Sequence, residues 1–393
     1  MKSLSRATEK FTESVIREMT RICDAAGGLN LAQGFPDFDP PEEVLKAAQE
    51  ALSSGLNQYP VTYGEPELRK AIADKARERG VTCDPESEVT VTCGATEAMM
   101  ATLKAIVDPG DEVVIFEPFY ENYGPDAILS GAAPRFVRLS PPDWNFAPKE
   151  LSRVFNERTK AVIINTPHNP TGKVFSKEEL VEIAALCDRW DVYAVTDEVY
   201  EHILYDGAEH VSIATLPGMR DRTVTISSAS KSYSVTGWRI GWAIAPPRLT
   251  SRIRKVHDFL TVGAPTPFQH GVAAGLRLPD PYYRGLAARY GRARDFLFEV
   301  LKEVGFQPSL PKGAYYIVAF AGEVMKRLGV GDDFSLSTEL IRRTGVATVP
   351  GYSFYRQDER GDPRVTRQVR FCFAKSEEML HEVAKRLRTE LGH

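Results

Sequence analysis

From about residue 65 onward the chain alternates helical stretches with short β-rich runs, and few architectures accommodate that order. The runs fall at 88–93, 112–116, 135–139, 161–165, 192–196, 223–227 and 238–244. Strands that alternate with helices build a mainly parallel sheet covered on both faces, so an α/β fold with seven strands is expected. Ser176 followed by Glu179 provides a capping-box start for the helix that carries Leu180, Ile183, Ala184 and Leu186. After Pro281 the order changes to a long amphipathic helix around 287–301, strands near 315–320, 346–349 and 369–373, and a closing helix with Leu380, Val383 and Leu387 on one face. This segment predicts a second, smaller α+β domain. Length agrees, because 393 residues exceed one typical core at roughly 100–200 residues per domain. No repeat, low-complexity tract or Gly/Ser linker intervenes, so the domains should pack closely.

Composition narrows the function classes. A net charge of -4 with 43% hydrophobic and 26% charged residues is ordinary for a soluble globular protein, and no nucleic-acid or membrane partner is expected. Arg252, Arg254 and Lys255 read as a solvated helix face. Cys23, Cys83, Cys93, Cys187 and Cys372 are odd in number, scattered and never paired as CxxC, which argues against a disulfide framework and a zinc site. No metal is expected, and a reducing cytoplasm is the simplest location. The first residues mix both charge signs without an apolar core, and no apolar run approaches the ~18 residues of a membrane span.

In open α/β sheets ligands bind beyond the carboxyl ends of the strands, so the residues following each run are the candidates. The richest such stretch is SSASKSYSVTGWRIGW at 227–242. Lys231, expected in a loop, offers an amine that forms a Schiff base once its pKa is lowered. Arg239 offers a fork that matches a phosphate, and Ser228 a further donor to the same oxygens. Alone, each also reads as an ordinary surface residue; together they suggest an aldehyde cofactor with a phosphate tail. After the run at 88–93, Gly94, Ala95 and Thr96 open a helix whose N–H groups and positive dipole end can approach a phosphate. Tyr120 can lay its ring on a planar heterocycle. Asn169 sits in a rigid turn, and Asp197 ends a strand three residues before Tyr200. Arg370 stands in an otherwise alternating strand, QVRFCFAK, where its fork suits a carboxylate.

The spacing of Ser228, Lys231, Gly237, Arg239 and Gly241, with NPTG at 169–172 and RFCF at 370–373, resembles the class I/II aminotransferases. These are fold-type-I enzymes that use pyridoxal 5'-phosphate. The resemblance runs through almost the whole chain. It implies a cofactor-binding domain at 46–281 and a smaller domain built from 1–45 and 282–393. It places Ala95, Thr96, Ser228 and Arg239 at the cofactor phosphate, Tyr120 on its ring, Asn169 and Tyr200 at its phenolic oxygen, and Asp197 at its pyridine nitrogen. Lys231 becomes the covalent anchor and proton carrier, Arg370 the partner of the substrate α-carboxylate, and Gly34 a point of close backbone approach to the amino acid. Tyr59 corresponds to a tyrosine that reaches the phosphate of the neighbouring subunit, which implies a homodimer with shared sites. His168 is read as a bystander, and Glu198 as pointing away from the cofactor.

The implied activity moves the amino group of an L-amino acid to a 2-oxo acid by a ping-pong cycle. The wording LAQGFPDF, LNQY and EPFY resembles the kynurenine/glutamine transaminase branch, whose substrates are aromatic, glutamine-like, methionine-like and kynurenine-type. Residues 261–269, TVGAPTPFQ, contain no cation, where aspartate-specific relatives can place an arginine. Two alternatives use the same residues: an aspartate/glutamate aminotransferase and a cysteine-conjugate β-lyase. A non-catalytic cofactor-binding regulator would require a DNA-binding segment, and none is legible.

Overall fold

The computed structural model describes residues 2–359 and 361–392. Its main sheet has seven strands, β2 (Val89–Thr92), β3 (Glu112–Glu117), β4 (Ala133–Arg138), β5 (Thr159–Asn165), β6 (Tyr193–Asp197), β7 (Thr223–Ser228) and β8 (Gly241–Ile244), preceded in the chain by β1 (Leu29–Asn30). The order is β2-β8-β7-β6-β5-β3-β4, with only β8 antiparallel to its neighbours. The alternation of side chains explains why these runs are apolar throughout. Val113 and Ile115 of β3 join one buried cluster with the helix Ala95–Ile106. Val114 and Phe116 join another with the helix Lys177–Trp190. Both faces are therefore covered, and each fully buried Val, Leu or Ile side chain stabilises by about 1.5–3 kcal/mol. The capping box at Ser176 and Glu179 forms as expected.

The run at 238–244 is only half strand. Thr236–Trp238 form a 3-10 turn and Arg239 adopts φ +55°, so β8 begins at Gly241. Gly241 is pressed against the start of the helix Ala95–Ile106: a Cβ there would lie 2.4 Å from the Ala95 nitrogen. Lys231 is likewise not in an open loop but in a one-turn helix, Ala229–Ser232, continuous with β7.

At the other end of the fold β9 (Gln307–Pro308), β10 (Tyr316–Phe320), β12 (Val349–Pro350) and β13 (Gln368–Cys372) form an antiparallel sheet. The strand expected at 346–349 divides at Thr348, so that β11 (Val346–Ala347) turns aside to pair in parallel with β1. Residues 29–30 are thereby tied to the C-terminal segment, and Val15, Ile16 and Met19 of the helix Val15–Ala25 share a core with Val349 and Phe354. The long helix runs Asp280–Glu303, earlier than the expected start at 287, with Pro281 in its first turn. In the basic cluster Arg252 and Lys255 are exposed, but Arg254 is not merely solvated. It donates to the carbonyls of Glu86 and Val89, both at 2.7 Å, and its guanidinium lies 3.9 Å from the centre of the Tyr63 ring. All five cysteines are free thiols. Among the described residues no helix is long and apolar enough to cross a membrane.

Candidate active site

A cavity of about 770 Å³ opens beyond the carboxyl ends of β5, β6 and β7, and its wall includes every expected site residue except Tyr59. One end is built to hold an anion. The helix Ala95–Ile106 starts there after Gly94, whose φ of +83° and missing side chain leave room for a guanidinium: a Cβ would lie 2.3 Å from Arg239 Nη2. Arg239 Nη1 donates to the Thr236 carbonyl at 2.9 Å, and buried Ser228 closes β7 beside it. Helix N–H groups, a guanidinium and a hydroxyl converge, which is the donor set a phosphate requires.

In the middle lies Lys231, whose Nζ donates to the Gly34 carbonyl at 3.2 Å. Burial disfavours its ammonium form and lowers its pKa to about 8; the Cys372 thiol and Asp197 oppose that shift. Gly34 has no room for a side chain, because a Cβ would lie 1.8 Å from the Tyr316 hydroxyl oxygen, and its carbonyl also accepts from the Tyr315 hydroxyl at 2.9 Å. The missing side chain at Gly34 thus lets its backbone lie close against Tyr316 and Tyr315.

Opposite the anion end stands Asp197, the last residue of β6. It accepts from the Tyr123 hydroxyl at 2.7 Å and from the Val199 N–H at 3.3 Å. Burial raises its pKa, a shift that the Tyr123 hydrogen bond opposes. Glu198 faces away, accepting from Thr196 and Ser212 and pairing with His210 at 2.8 Å. Tyr120 meets the Tyr123 ring edge to face at 5.7 Å. Asn165 Oδ1 receives the Asn169 N–H at 2.7 Å while its amide donates to the Asp197 and Pro167 carbonyls. One buried amide therefore fixes the turn bearing Asn169 to the strand end bearing Asp197. Asn165 and Tyr123 are not among the residues expected from the sequence; their closeness to TPHNPTG and to Tyr120 is the only local signal of them.

Arg370 is 1% exposed. Its Nη1 donates to Asn169 Oδ1 at 2.8 Å and its Nη2 to the Ala32 carbonyl at 2.6 Å. The guanidinium lies against the rings of Tyr316, at 4.2 Å, and Phe354, at 4.9 Å, and Nε has no hydrogen-bond partner among the described residues. Tyr200 shares a hydrogen bond of 3.0 Å with Tyr316, a residue not expected from the sequence. His168 is buried against Thr171, and burial pushes its pKa down to about 3. Tyr59 is 86% exposed and lies outside the cavity of this chain.

The family model for aminotransferase class I and II matches residues 26–387. The chain is a class I/II aminotransferase. The aminotransferase is 39% identical to kynurenine–oxoglutarate transaminase 1 of Mus musculus over 398 residues, 94% of this chain and 93% of the relative. Its fold is similar to the structure of N-succinyldiaminopimelate aminotransferase from Mycobacterium tuberculosis, with a TM-score of 0.93, 39% identity and coverage of 99% and 100% of the two chains. It is also similar to YbdL from Escherichia coli, for which a methionine aminotransferase function has been identified, with a TM-score of 0.91, 34% identity and coverage of 99% and 100%. The cofactor of this fold-type-I aminotransferase is pyridoxal 5'-phosphate, and the cavity suits it. The Gly94 cradle under Arg239 has the donors that a phosphate needs, Lys231 the amine that an aldehyde needs, and Asp197 a buried carboxylate that suits a protonated ring nitrogen.

Proposed function

We propose that this aminotransferase takes L-amino acids with large uncharged side chains, of the aromatic, glutamine, methionine and kynurenine type, as amino donors. The observation that carries this reading is the lining of the cavity that holds Arg370: it includes Ile16, Phe35, Tyr120, Leu260 and Tyr316, while the segment 261–269 adds no cation. Arg370 binds the α-carboxylate. Its contact with two rings and its bonds to Asn169 and Ala32 hold the fork before the substrate arrives, so little ordering remains to be done on binding.

Bound pyridoxal phosphate supplies an aldehyde for an amine and a ring that withdraws electrons from the carbon beside it. The chain supplies the rest. Arg239, Ser228 and the N–H groups at Ala95 and Thr96 fix the phosphate, and Tyr120 covers the ring. Asp197 retains the proton on the ring nitrogen, with Tyr123 positioning the carboxylate. The Asn169 amide and the Tyr200 hydroxyl orient the phenolic oxygen. Lys231 Nζ carries the α-proton, a role that suits an amine held close to neutrality and is worth about 10²–10⁴-fold in rate. In the same reading residues 46–281 hold the cofactor and 1–45 with 282–393 form the smaller domain, a division supported by the pairing of β1 with β11. Tyr59 completes the neighbouring site of a homodimer, and the five free thiols accord with the cytoplasm.

The test is a panel of single half-reactions followed by visible absorbance, with phenylalanine, methionine, glutamine, kynurenine, aspartate and glutamate. Faster conversion by the first four is the expected outcome, and a marked aspartate preference overturns it. Release of pyruvate from a cysteine conjugate without any 2-oxo acid would instead assign β-lyase chemistry.

A further inference from the structure

A carboxylate stands in the first turn of the helix that forms the phosphate cradle. Glu97 directly follows Ala95 and Thr96 in the helix Ala95–Ile106 and shares the wall of the active-site cavity with Arg239. Its side chain folds back over the helix N-terminus, where Oε2 accepts the Cys93 N–H. A carboxylate in that place ordinarily suits the positive end of a helix dipole. Here the same terminus also has to take the cofactor phosphate, and two anions at one helix end repel each other.

The helix Pro247–Thr261 supplies a counter-charge. His257 on that helix is 0% exposed. Its Nδ1 lies 2.6 Å from Glu97 Oε1 and its Nε2 lies 2.7 Å from the Thr62 carbonyl oxygen. A carbonyl oxygen only accepts, so Nε2 carries a hydrogen. Glu97 already accepts at both oxygens, from the Cys93 N–H and, at 2.7 Å, from the Thr261 hydroxyl. Such bonds favour the ionised carboxylate, so the proton between Oε1 and Nδ1 resides on the ring and the pair is an imidazolium facing a carboxylate. Burial works against both charges, yet the hydrogen bond between them lowers the pKa of Glu97 and raises that of His257, which Asp258 raises further. The steps assigned to Lys231, Asp197 and Arg370 use neither residue.

We propose that His257 is a positioning residue for the cofactor: held as an imidazolium between Glu97 and the Thr62 carbonyl, it cancels the carboxylate in the cradle, so that the helix N-terminus and Arg239 act on the phosphate alone. Without the ring, a buried carboxylate would be left uncompensated beside the anion site. This inference rests on the assignment of the phosphate to Ala95, Thr96, Ser228 and Arg239.

The experiment compares the holoenzyme with its His257→Gln, Glu97→Gln, Glu97→Gln/His257→Gln and Arg239→Gln variants at about pH 8, above the ordinary carboxylate range. Cofactor release on dilution, followed by visible absorbance, gives the affinity for pyridoxal phosphate, and the phosphorus resonance of the bound cofactor reports the charge around its phosphate. In His257→Gln affinity falls about tenfold or more and the resonance moves, because Glu97 has lost its counter-ion. The double substitution removes both charges, recovers most of the affinity and returns the resonance towards its original position. Glu97→Gln alone binds the cofactor at least as tightly as the unsubstituted protein. Unaltered affinity in His257→Gln overturns the proposal, and so does weaker binding in Glu97→Gln. A double variant no better than His257→Gln also overturns it, since that is the behaviour of a ring that only fills space. Should His257→Gln alone not fold, Glu97→Gln and the double variant carry the same test. Arg239→Gln weakens cofactor binding in either case; should it not, the phosphate assignment fails and not the pairing of His257 with Glu97.

Discussion

Lys231 shows how much of an active residue's chemistry comes from burial. A free lysine amine is almost wholly protonated at neutral pH, whereas here burial brings its pKa to about 8. Only the neutral amine attacks an aldehyde. The rate at which cofactor-free protein captures pyridoxal phosphate should therefore rise with pH through about 8 and level off above it. Stopped-flow absorbance measures this, and a rate that keeps climbing to the ordinary lysine value would show an amine in open solvent. At this scale Lys231, Arg239 and Asp197 stand out as candidates in the sequence because each carries a polar chemistry beside a strand end, and Arg370 because a guanidinium interrupts an otherwise apolar strand. Tyr123 and Asn165 escaped because their partner Asp197 lies 74 and 32 residues further along the chain, and nothing local separates a tyrosine that steers a carboxylate from one that fills space.

The elements matter through their ends. The helix Ala95–Ile106 grips a phosphate only if Arg239 can lie across its first turn, and that depends on Gly94 having no side chain and φ of +83°. Gly94→Ala should weaken cofactor affinity about tenfold or more, from displaced donors and a left-handed cost of about 1–2 kcal/mol. Fluorescence titration of the cofactor-free variant checks this; affinity equal to that of the unsubstituted protein would refute the cradle. The same crowding shortens the strand expected at 238–244. Residues 238–240 alternate like a strand, but Arg239 must turn out of the sheet to reach the helix end, so β8 starts three residues later than expected, at Gly241. The split at Thr348 has a comparable origin, because β11 follows β1 and β12 follows β13. Pairing partners decided both boundaries.

Over the whole molecule, one surface gathers exposed apolar side chains. Leu52, Leu56, Tyr59 and Val61 are exposed, as are Phe259, at 91%, Leu260 and Val262. The two segments adjoin, since a Cβ at Gly263 would lie 2.6 Å from Pro60 Cγ and Thr266 donates to the Gln58 carbonyl. Leu260 also lines the cavity, so a second copy seated on this patch would reach the active site. Such patches mark interfaces. Sedimentation should give a dimer. Tyr59→Phe should lower cofactor affinity several-fold, because it removes the hydroxyl that would reach the phosphate of the neighbouring site. A monomer, or unaltered affinity in that variant, would remove Tyr59 from the shared site.

The α/β class, the seven strands, the capped helix at Ser176 and the chemical character of the cavity were all determined by the sequence, because periodicity, caps and turn residues act within a few positions of one another. Which strand runs antiparallel, how residues 29–30 reach 346–347 and which tyrosine holds Asp197 were decided only in three dimensions. Those features depend on contacts between residues far apart in the chain, where packing, and not local preference, selects among conformations that the sequence alone leaves equally available.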